Sequence, residues 1–216
     1  MDRGRFITVE GGDGAGKSTQ IPFIEKLIRS RGHKLRVTRE PGGTELGERL
    51  REILLNFSSG AMCDESELML MFAARKQHLS EIIIPALESG IWVLCDRFTD
   101  ATYAYQGGGR GIDASRIDVL ENWVQQGLQP DLTLLFDVPV EIGLARTGKR
   151  GEASDRFEQQ KVRFKERVRE SYLDRARRFS QRIKRIDAGQ DLDTVQSCIV
   201  DEFNAFADNL AGVRNN

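Results

Sequence analysis

Cysteine and histidine are scarce, with three of the first and two of the second in 216 residues. Cys63, Cys95 and Cys198 are odd in number, widely spaced and never in a C-x-x-C arrangement. Neither a disulfide framework nor a Cys/His metal site is supported, and a reduced, cytoplasmic compartment is the expectation. Cys95, inside "IWVLCD", reads as a small buried hydrophobe. Long apolar runs are also missing. Nothing approaches the roughly 20 residues of a membrane span, and the start "MDRGRF" has no signal-peptide core. A basic excess is absent too, since 32 Lys and Arg face 33 Asp and Glu for a net charge of −1. That balance argues against a general nucleic-acid binder. No internal repeat or low-complexity stretch stands out, and residues 1–216 fit one domain with a full core.

What the chain does have is glycine in a telling place. "GGDGAGKSTQ" puts four glycines, a lysine and two hydroxyls between Gly11 and Gln20. It satisfies G-x-x-x-x-G-K-[ST] with Gly11, Gly16, Lys17 and Ser18 at the fixed points. The preceding "RFITVEG" is apolar and β-branched, and the following "STQIPFIEKLIRSRG" spaces Ile21, Ile24, Leu27 and Ile28 as a helix ending at Gly32. A Gly-rich turn with an exposed lysine would not need that strand–loop–helix setting. Glycines let successive N–H groups point inward, and a helix start adds partial positive charge. Lys17 then neutralises phosphate oxygens and the Ser18 hydroxyl ligates Mg²⁺. The loop binds a nucleoside triphosphate or something with similar phosphates.

The rest of the chain alternates strand and helix patterns. Strands are predicted at Phe6–Glu10, Leu35–Arg39, Ile91–Cys95, Leu132–Asp137 and Arg185–Asp187. Helical spacing fills Glu67–Glu88, Ser115–Gln126 and Glu158–Ile183. Near-continuous apolar strands between helices imply an α/β fold, a parallel sheet covered on both faces. Ligands gather beyond the carboxyl ends of such strands. The loops Gly11–Lys17, Glu40–Thr44, Asp96–Gly111 and Asp187–Gly189 are therefore expected on one rim.

Several charged residues on that rim invite a chemical reading. Asp96 ends an apolar strand and can hold the Mg²⁺ shell or orient a nucleophile. Arg97 follows at once, and its fork suits a phosphate monoester. Asp137 ends another strand, either as a helix cap or as a functional acid. Arg146, Lys149, Arg150 and Arg156 lie in "ARTGKRGEASDRFE", which reads either as a solvated loop or as a lid carrying arginines to a migrating phosphoryl group. Asp13 places an acid inside an anion-binding loop, where it needs a use such as accepting a sugar hydroxyl. The arginine-rich stretch from Glu158 carries an apolar stripe of Phe164, Val168, Tyr172 and Phe179, so an amphipathic surface helix is favoured over a nucleic-acid contact. His33 looks exposed, and His78 reads as a packing or hydrogen-bonding residue.

"EGGDGAGKST", "REPGGT", "FAARKQH", "DRFTDATYAYQGGGRG", "LFDVPVEIGLAR" and "SDRFE" occur in this order. Together they resemble the bacterial thymidylate kinases across nearly the whole chain. The resemblance implies a three-layer α/β/α P-loop kinase fold with a five-stranded parallel sheet and a mobile lid at about residues 146–158. It implies transfer of the γ-phosphoryl of ATP to dTMP, with Mg²⁺ and as a homodimer. Carried over by motif, Gly11, Gly12, Asp13, Gly14, Ala15, Gly16, Lys17, Ser18 and Thr19 would form the ATP cradle, with Ser18 and Asp96 at the metal. Arg146 would lie over the adenine, and Lys149, Arg150 and Arg156 would approach the phosphates. Asp13 would accept the 3′-hydroxyl of dTMP, and Arg97, with Arg39 as a weaker candidate, would hold its monophosphate. Arg75 would donate to the thymine edge, Thr102 and Gln106 would line the same pocket, and Tyr105 would occupy the space of a 2′-hydroxyl. Two departures stand out. The aromatic that often stacks on thymine is replaced by Met71, with Phe72 one place later, so either side chain could cover the base. Ala101 stands where serine is common, leaving Thr102 to supply a hydroxyl.

Overall fold

The computed structural model describes residues 3–57, 62–148 and 162–213. Strands β1 (Phe6–Glu10), β2 (Leu35–Arg39), β3 (Trp92–Asp96), β4 (Leu132–Asp137) and β5 (Ile183–Asp187) form one sheet in the order β2-β3-β1-β4-β5. Every pairing is parallel. β1 and β4 are buried along their whole lengths, which explains why they read as unbroken apolar runs. The helices are α1 (Lys17–Ser30), α2 (Glu45–Asn56), α3 (Asp64–His78), α4 (Ile84–Glu88), α5 (Thr99–Thr102), α6 (Ala114–Gln125), α7 (Val140–Gly148), α8 (Val162–Arg178) and α9 (Leu192–Val213). On one face Ile24 and Ile28 of α1 meet Ile199 and Phe203 of α9 over Ile7, Val9 and Leu134. On the other, Leu79, Ile83 and Leu87 cover Phe6, Val93 and Cys95. The result is the expected three-layer α/β/α arrangement.

The element limits differ from expectation where tertiary contacts intervene. The predicted Glu67–Glu88 helix begins at Asp64 and contains a wider π-helical stretch at Leu79–Ile83 before α4. Pro85 has no N–H for the regular ladder, and the looser register accommodates it. The strand predicted from Arg185 starts at Ile183, where it pairs with Thr133 of β4. The long helix ends accordingly at Arg178. Its buried positions are Phe164, Val168, Tyr172 and Arg175, whereas Phe179 is 39% exposed. Arg175 turns inward because buried Asp100 binds it together with Arg182. His33 is half-buried, stacked on Trp92 with ring centroids 4.0 Å apart. Cys95 is buried, as expected.

The segment from Asp96 to Gly111 reads as a loop because of its glycines, yet it is helical. It forms α5 and a π-helical stretch at Tyr103–Gly109 that packs along α8. Here glycine serves close approach. A Cβ on Gly108 would lie 2.8 Å from the Arg167 carbonyl oxygen and 2.6 Å from the Ser171 Cβ. Helix propensity alone would make Gly108→Ala stabilising by about 1 kcal/mol. Forcing α8 away costs about 1–3 kcal/mol, so the net effect is destabilisation. Thermal melts of Gly108→Ala are expected to show a lower Tm than wild type, and a raised Tm would contradict this packing.

Candidate active site

The loop after β1 owes its shape to glycine. Gly11, Gly14 and Gly16 have φ of 140°, 73° and 86°, and a Cβ on Gly14 would meet the Gly143 backbone of α7 at 2.1 Å. The loop thus lies directly against α7. Lys17 begins α1 and folds back, its Nζ donating to the carbonyls of Gly11 at 3.0 Å and Gly12 at 3.3 Å. Burial, aided by the charge of Arg97, pushes the Lys17 ammonium down to about 8, against the attraction of Asp96, Asp13 and Glu10.

Parallel pairing sets Asp96 opposite Val9, so β3 ends beside the start of this loop. Arg97 follows in a left-handed conformation, φ 69°. Its amide donates to the Val9 carbonyl at 2.9 Å, and the next amide, of Phe98, donates to Glu10 Oε1 at 2.6 Å. The Arg97 side chain donates from Nη2 to Asp13 Oδ1 at 3.1 Å and from Nη1 to the Tyr172 hydroxyl at 3.2 Å. It lies over the Tyr105 ring, 4.8 Å from the centroid. The Tyr105 hydroxyl donates to the same Asp13 oxygen at 3.0 Å. Burial works to raise the Asp13 carboxyl, but Arg97, Lys17 and Lys165 outweigh it and hold the group below its ordinary range.

Arg75 is buried between the rings of Phe72 and Phe98, at 4.8 and 5.0 Å from their centroids. It donates from Nε to Glu40 Oε2 at 2.8 Å and from Nη2 to Thr102 Oγ1 at 2.9 Å. Glu40 also binds His78 Nδ1 at 3.0 Å, and the His78 Nε2 meets Thr38 Oγ1 at 2.7 Å. His78 is therefore a structural hydrogen-bonding residue. Two buried polar atoms lack a partner among the described residues and belong to cavity-lining side chains: Arg75 Nη1 and Asp96 Oδ1.

One cavity of about 310 Å³ joins these groups. It runs from Asp13, Gly14, Ala15, Gly16, Lys17 and Ser18, past Asp96 and Arg97, to Met71, Arg75, Thr102, Tyr105 and Gln106. Gly11 and Gly12 border a smaller adjoining space beside Asp137, Lys165 and Arg169. Arg39 and Phe72 do not line the cavity. Arg39 is half-exposed and paired with Glu48 at 2.7 Å, and Phe72 belongs to the core with Leu68, Tyr103 and Ile117. Met71 therefore forms the wall that sequence alone left open. Thr19 is exposed. Arg146 donates to the Ala188 carbonyl at 2.9 Å, joining α7 to the turn after β5. Lys149, Arg150 and Arg156 lie outside the described residues, as does most of the expected lid.

The cavity also contains a residue that sequence reasoning missed. Arg51 lines it and donates to the Pro41 carbonyl at 2.9 Å, after a cis Glu40–Pro41 bond. Its signal was the inward-facing Leu54 one turn later on α2. Glu10 and Tyr172 brace Arg97 from behind, the Tyr172 hydroxyl donating to Glu10 Oε2 at 2.8 Å. Asp137 proves to be an ion-pair anchor, held by Arg169 Nε at 2.7 Å and Arg185 Nη2 at 2.7 Å.

A glycine cradle with its lysine, a carboxylate at the neighbouring strand end, and arginines across the cavity define a P-loop phosphotransferase. A family model described as thymidylate kinase matches residues 9–199. The thymidylate kinase of Alkalilimnicola ehrlichii is 57% identical over 199 residues, 92% of each chain. That of Nitrosomonas europaea is 51% identical over 98% of this chain and 97% of its own. Among solved structures, thymidylate kinase from Ehrlichia chaffeensis matches with a TM-score of 0.75 and 35% identity, covering 94% of this chain and 99% of that one. The chain belongs to the thymidylate kinase family.

The Glu10 carboxyl titrates unusually. Burial, reinforced by the charge of Asp100, pushes it from its ordinary 4.5 up to about 8, despite Arg97, Tyr172 and the Phe98 amide. Between those pH values the native protein keeps a proton that the unfolded chain has lost, so this contribution to stability declines as pH rises through about 8. Urea unfolding from about pH 5 to 8.5 is expected to show wild type losing stability relative to Glu10→Gln as pH rises. Parallel curves would mean that Glu10 does not titrate in that window.

Proposed function

We infer that this chain transfers the γ-phosphoryl group of ATP to dTMP, giving dTDP and ADP for dTTP synthesis. The observation that carries this reading is the continuity of the cavity, which links the glycine cradle to Arg97 and then to Arg75 and Gln106. Two phosphate-bearing ligands can thus meet end to end.

On the donor side, amides of Gly11–Ser18 and the Lys17 ammonium cradle the triphosphate, with Thr19 next in α1 and Arg146 near the adenine. The unpartnered Asp96 oxygen and the Ser18 hydroxyl have the hard-oxygen chemistry that Mg²⁺ and its waters require. Bound there, the ion would neutralise charge on the transferring phosphates. Lys17 keeps its place on two loop carbonyls until phosphate oxygens compete for it. On the acceptor side, Arg97 and Arg51, rather than Arg39, grip the monophosphate. Asp13 accepts the sugar 3′-hydroxyl, and Tyr105 fills the space of a 2′-hydroxyl. Arg75, oriented by Glu40 and Thr102, donates to the thymine O4, and Met71 covers the base.

This arrangement sets an order of substrates. Losing one methyl in an apolar slot costs about 1–3 kcal/mol, so dUMP is a poorer but real substrate. In dCMP an amino group would face the Arg75 donor, leaving buried donors opposed, and rejection should be far stronger. A coupled ATP-consumption assay over the natural nucleoside monophosphates and thymidine is expected to rank dTMP first. Equal use of dCMP, or phosphorylation of thymidine itself, would overturn the assignment. Arg97→Ala should damage dTMP use by about 100-fold or more in kcat/KM while sparing ATP binding; unchanged dTMP kinetics would reject its role.

The proposal extends to a homodimer in the cytoplasm. Helices α2, α3 and α6 pack side by side, and expose Ile53 at 44%, Met69 at 55%, Val119 at 66% and Trp123 at 75%. Val119 and Trp123 are one turn apart on α6, an apolar face suited to a second copy. The free thiols of Cys63 and Cys198 are exposed, which suits a reducing compartment. No helix among the described residues is long and apolar enough to cross a membrane. Sedimentation analysis is expected to give a dimer for wild type and a monomer for Trp123→Arg. A wild-type monomer would sink the dimer proposal.

A further inference from the structure

Glu67 has no place in the transfer chemistry, yet it is completely buried at the first turn of α3, directly behind the base end of the cavity. Its Oε1 accepts from Gln106 Nε2 at 2.8 Å. The Arg110 guanidinium holds the same carboxylate from the other side, Nη2 to Oε2 at 3.1 Å and Nε to Oε1 at 3.3 Å. Arg110 is itself fixed over the Phe164 ring, 5.0 Å from the centroid.

A carboxylate in an ion pair offers acceptors only. The amide of Gln106 must therefore turn its nitrogen toward Glu67, which leaves its carbonyl oxygen for the cavity that Gln106 lines. We propose that Glu67, braced by Arg110, is a positioning residue that sets the hydrogen-bond polarity of Gln106 and so selects a pyrimidine carrying a proton on N3. This rests on the thymidylate reading above and deepens it. Thymine and uracil present N3–H beside a C4 carbonyl. Cytosine presents an N3 lone pair beside an amino group. Arg75 tests the C4 position with a donor, and Gln106 tests N3 with an acceptor. Both contacts are inverted for cytosine, and neither distinguishes thymine from uracil. The two readers come from different elements, Arg75 from α3 and Gln106 from the π-helical stretch after α5. Each is held by its own buried glutamate, Glu40 for Arg75 and Glu67 for Gln106.

Replacing Glu67 by glutamine tests the idea at nearly constant volume. The new side chain carries both a donor and an acceptor, so the Gln106 amide is free to adopt either orientation. A merely structural loss would lower kcat/KM for all pyrimidine nucleotides alike. The proposal instead requires the ratio of kcat/KM for dTMP to that for dCMP to narrow by about tenfold in Glu67→Gln, while the dTMP to dUMP ratio stays unchanged. A dTMP to dCMP ratio within about threefold of wild type would overturn it. Should Glu67→Gln fail to fold, Gln106→Leu takes its place. Removal of the acceptor must then lower dTMP use by about tenfold more than dCMP use, and equal losses would overturn the proposal. Wild type serves as the control for the underlying reading. If it leaves dTMP unphosphorylated, the thymidylate assignment fails; if it uses dTMP and the ratios do not move, only the role of Glu67 fails.

Discussion

Arg97 adopts a backbone conformation that an L-amino acid side chain disfavours, and the part of the cavity beyond the glycine loop is arranged around the contacts that keep it there. Such a residue costs about 1–3 kcal/mol. Two amide hydrogen bonds, from Arg97 to Val9 and from Phe98 to Glu10, hold the turn itself. Asp13, Tyr172 and Tyr105 hold the guanidinium. A hydrogen bond to a charged group is worth about 1.5–3 kcal/mol, so these contacts together are large enough to offset the strain. Glycine would fit the turn without strain but would supply no cation. The strain is the consequence of placing a guanidinium at a strand end, one residue after the carboxylate of Asp96.

Burying so much charge requires that each group have a defined partner. The cavity wall meets that requirement with small closed networks. Glu40 joins Arg75 and His78, and Glu67 joins Gln106 and Arg110, while away from the cavity Asp100 joins Arg175 and Arg182 in the same manner. Each network includes residues from distant parts of the chain, so side chains that face a ligand are fixed by neighbours that do not. This second layer keeps the cavity preorganised, because reorienting a donor would strand a buried charge.

Much of this was legible in the sequence. The limits of β1 and β4 follow from near-continuous apolar or β-branched runs, and the glycine cradle follows from a spacing whose physics is local. Asp96 and Arg97 were readable because a strand end adjoins a known loop. The failures share a cause, which is that they depend on contacts between segments far apart in sequence. Arg39 and Arg51 carry the same charge, and only the packing of α2 decides that Glu48 takes the first while the second faces the cavity. Met71 and Phe72 are adjacent on one helix, and packing against Tyr103 and Ile117 takes Phe72 into the core while Met71 faces the cavity. Three consecutive glycines looked like a loop because local propensity says so, whereas the close approach of α8 demands two of them, Gly108 and Gly109. Glu67 gave no signal at all, since an acid in the first turn of a helix usually serves the helix dipole.

Asp13 is where the two halves of the site become one. It belongs to the glycine loop by sequence, yet its oxygen is shared by Arg97 and Tyr105 across the cavity. Its charge also acts on Lys17, while Lys17 and Arg97 in turn hold its proton off. Arg97 and Lys17 repel one another across this carboxylate, and its charge lowers the cost of keeping two cations close. Asp13 shares this work with Asp96, whose charge also acts on both cations. The same carboxylate thus ties the glycine loop to the arginine and tyrosine across the cavity.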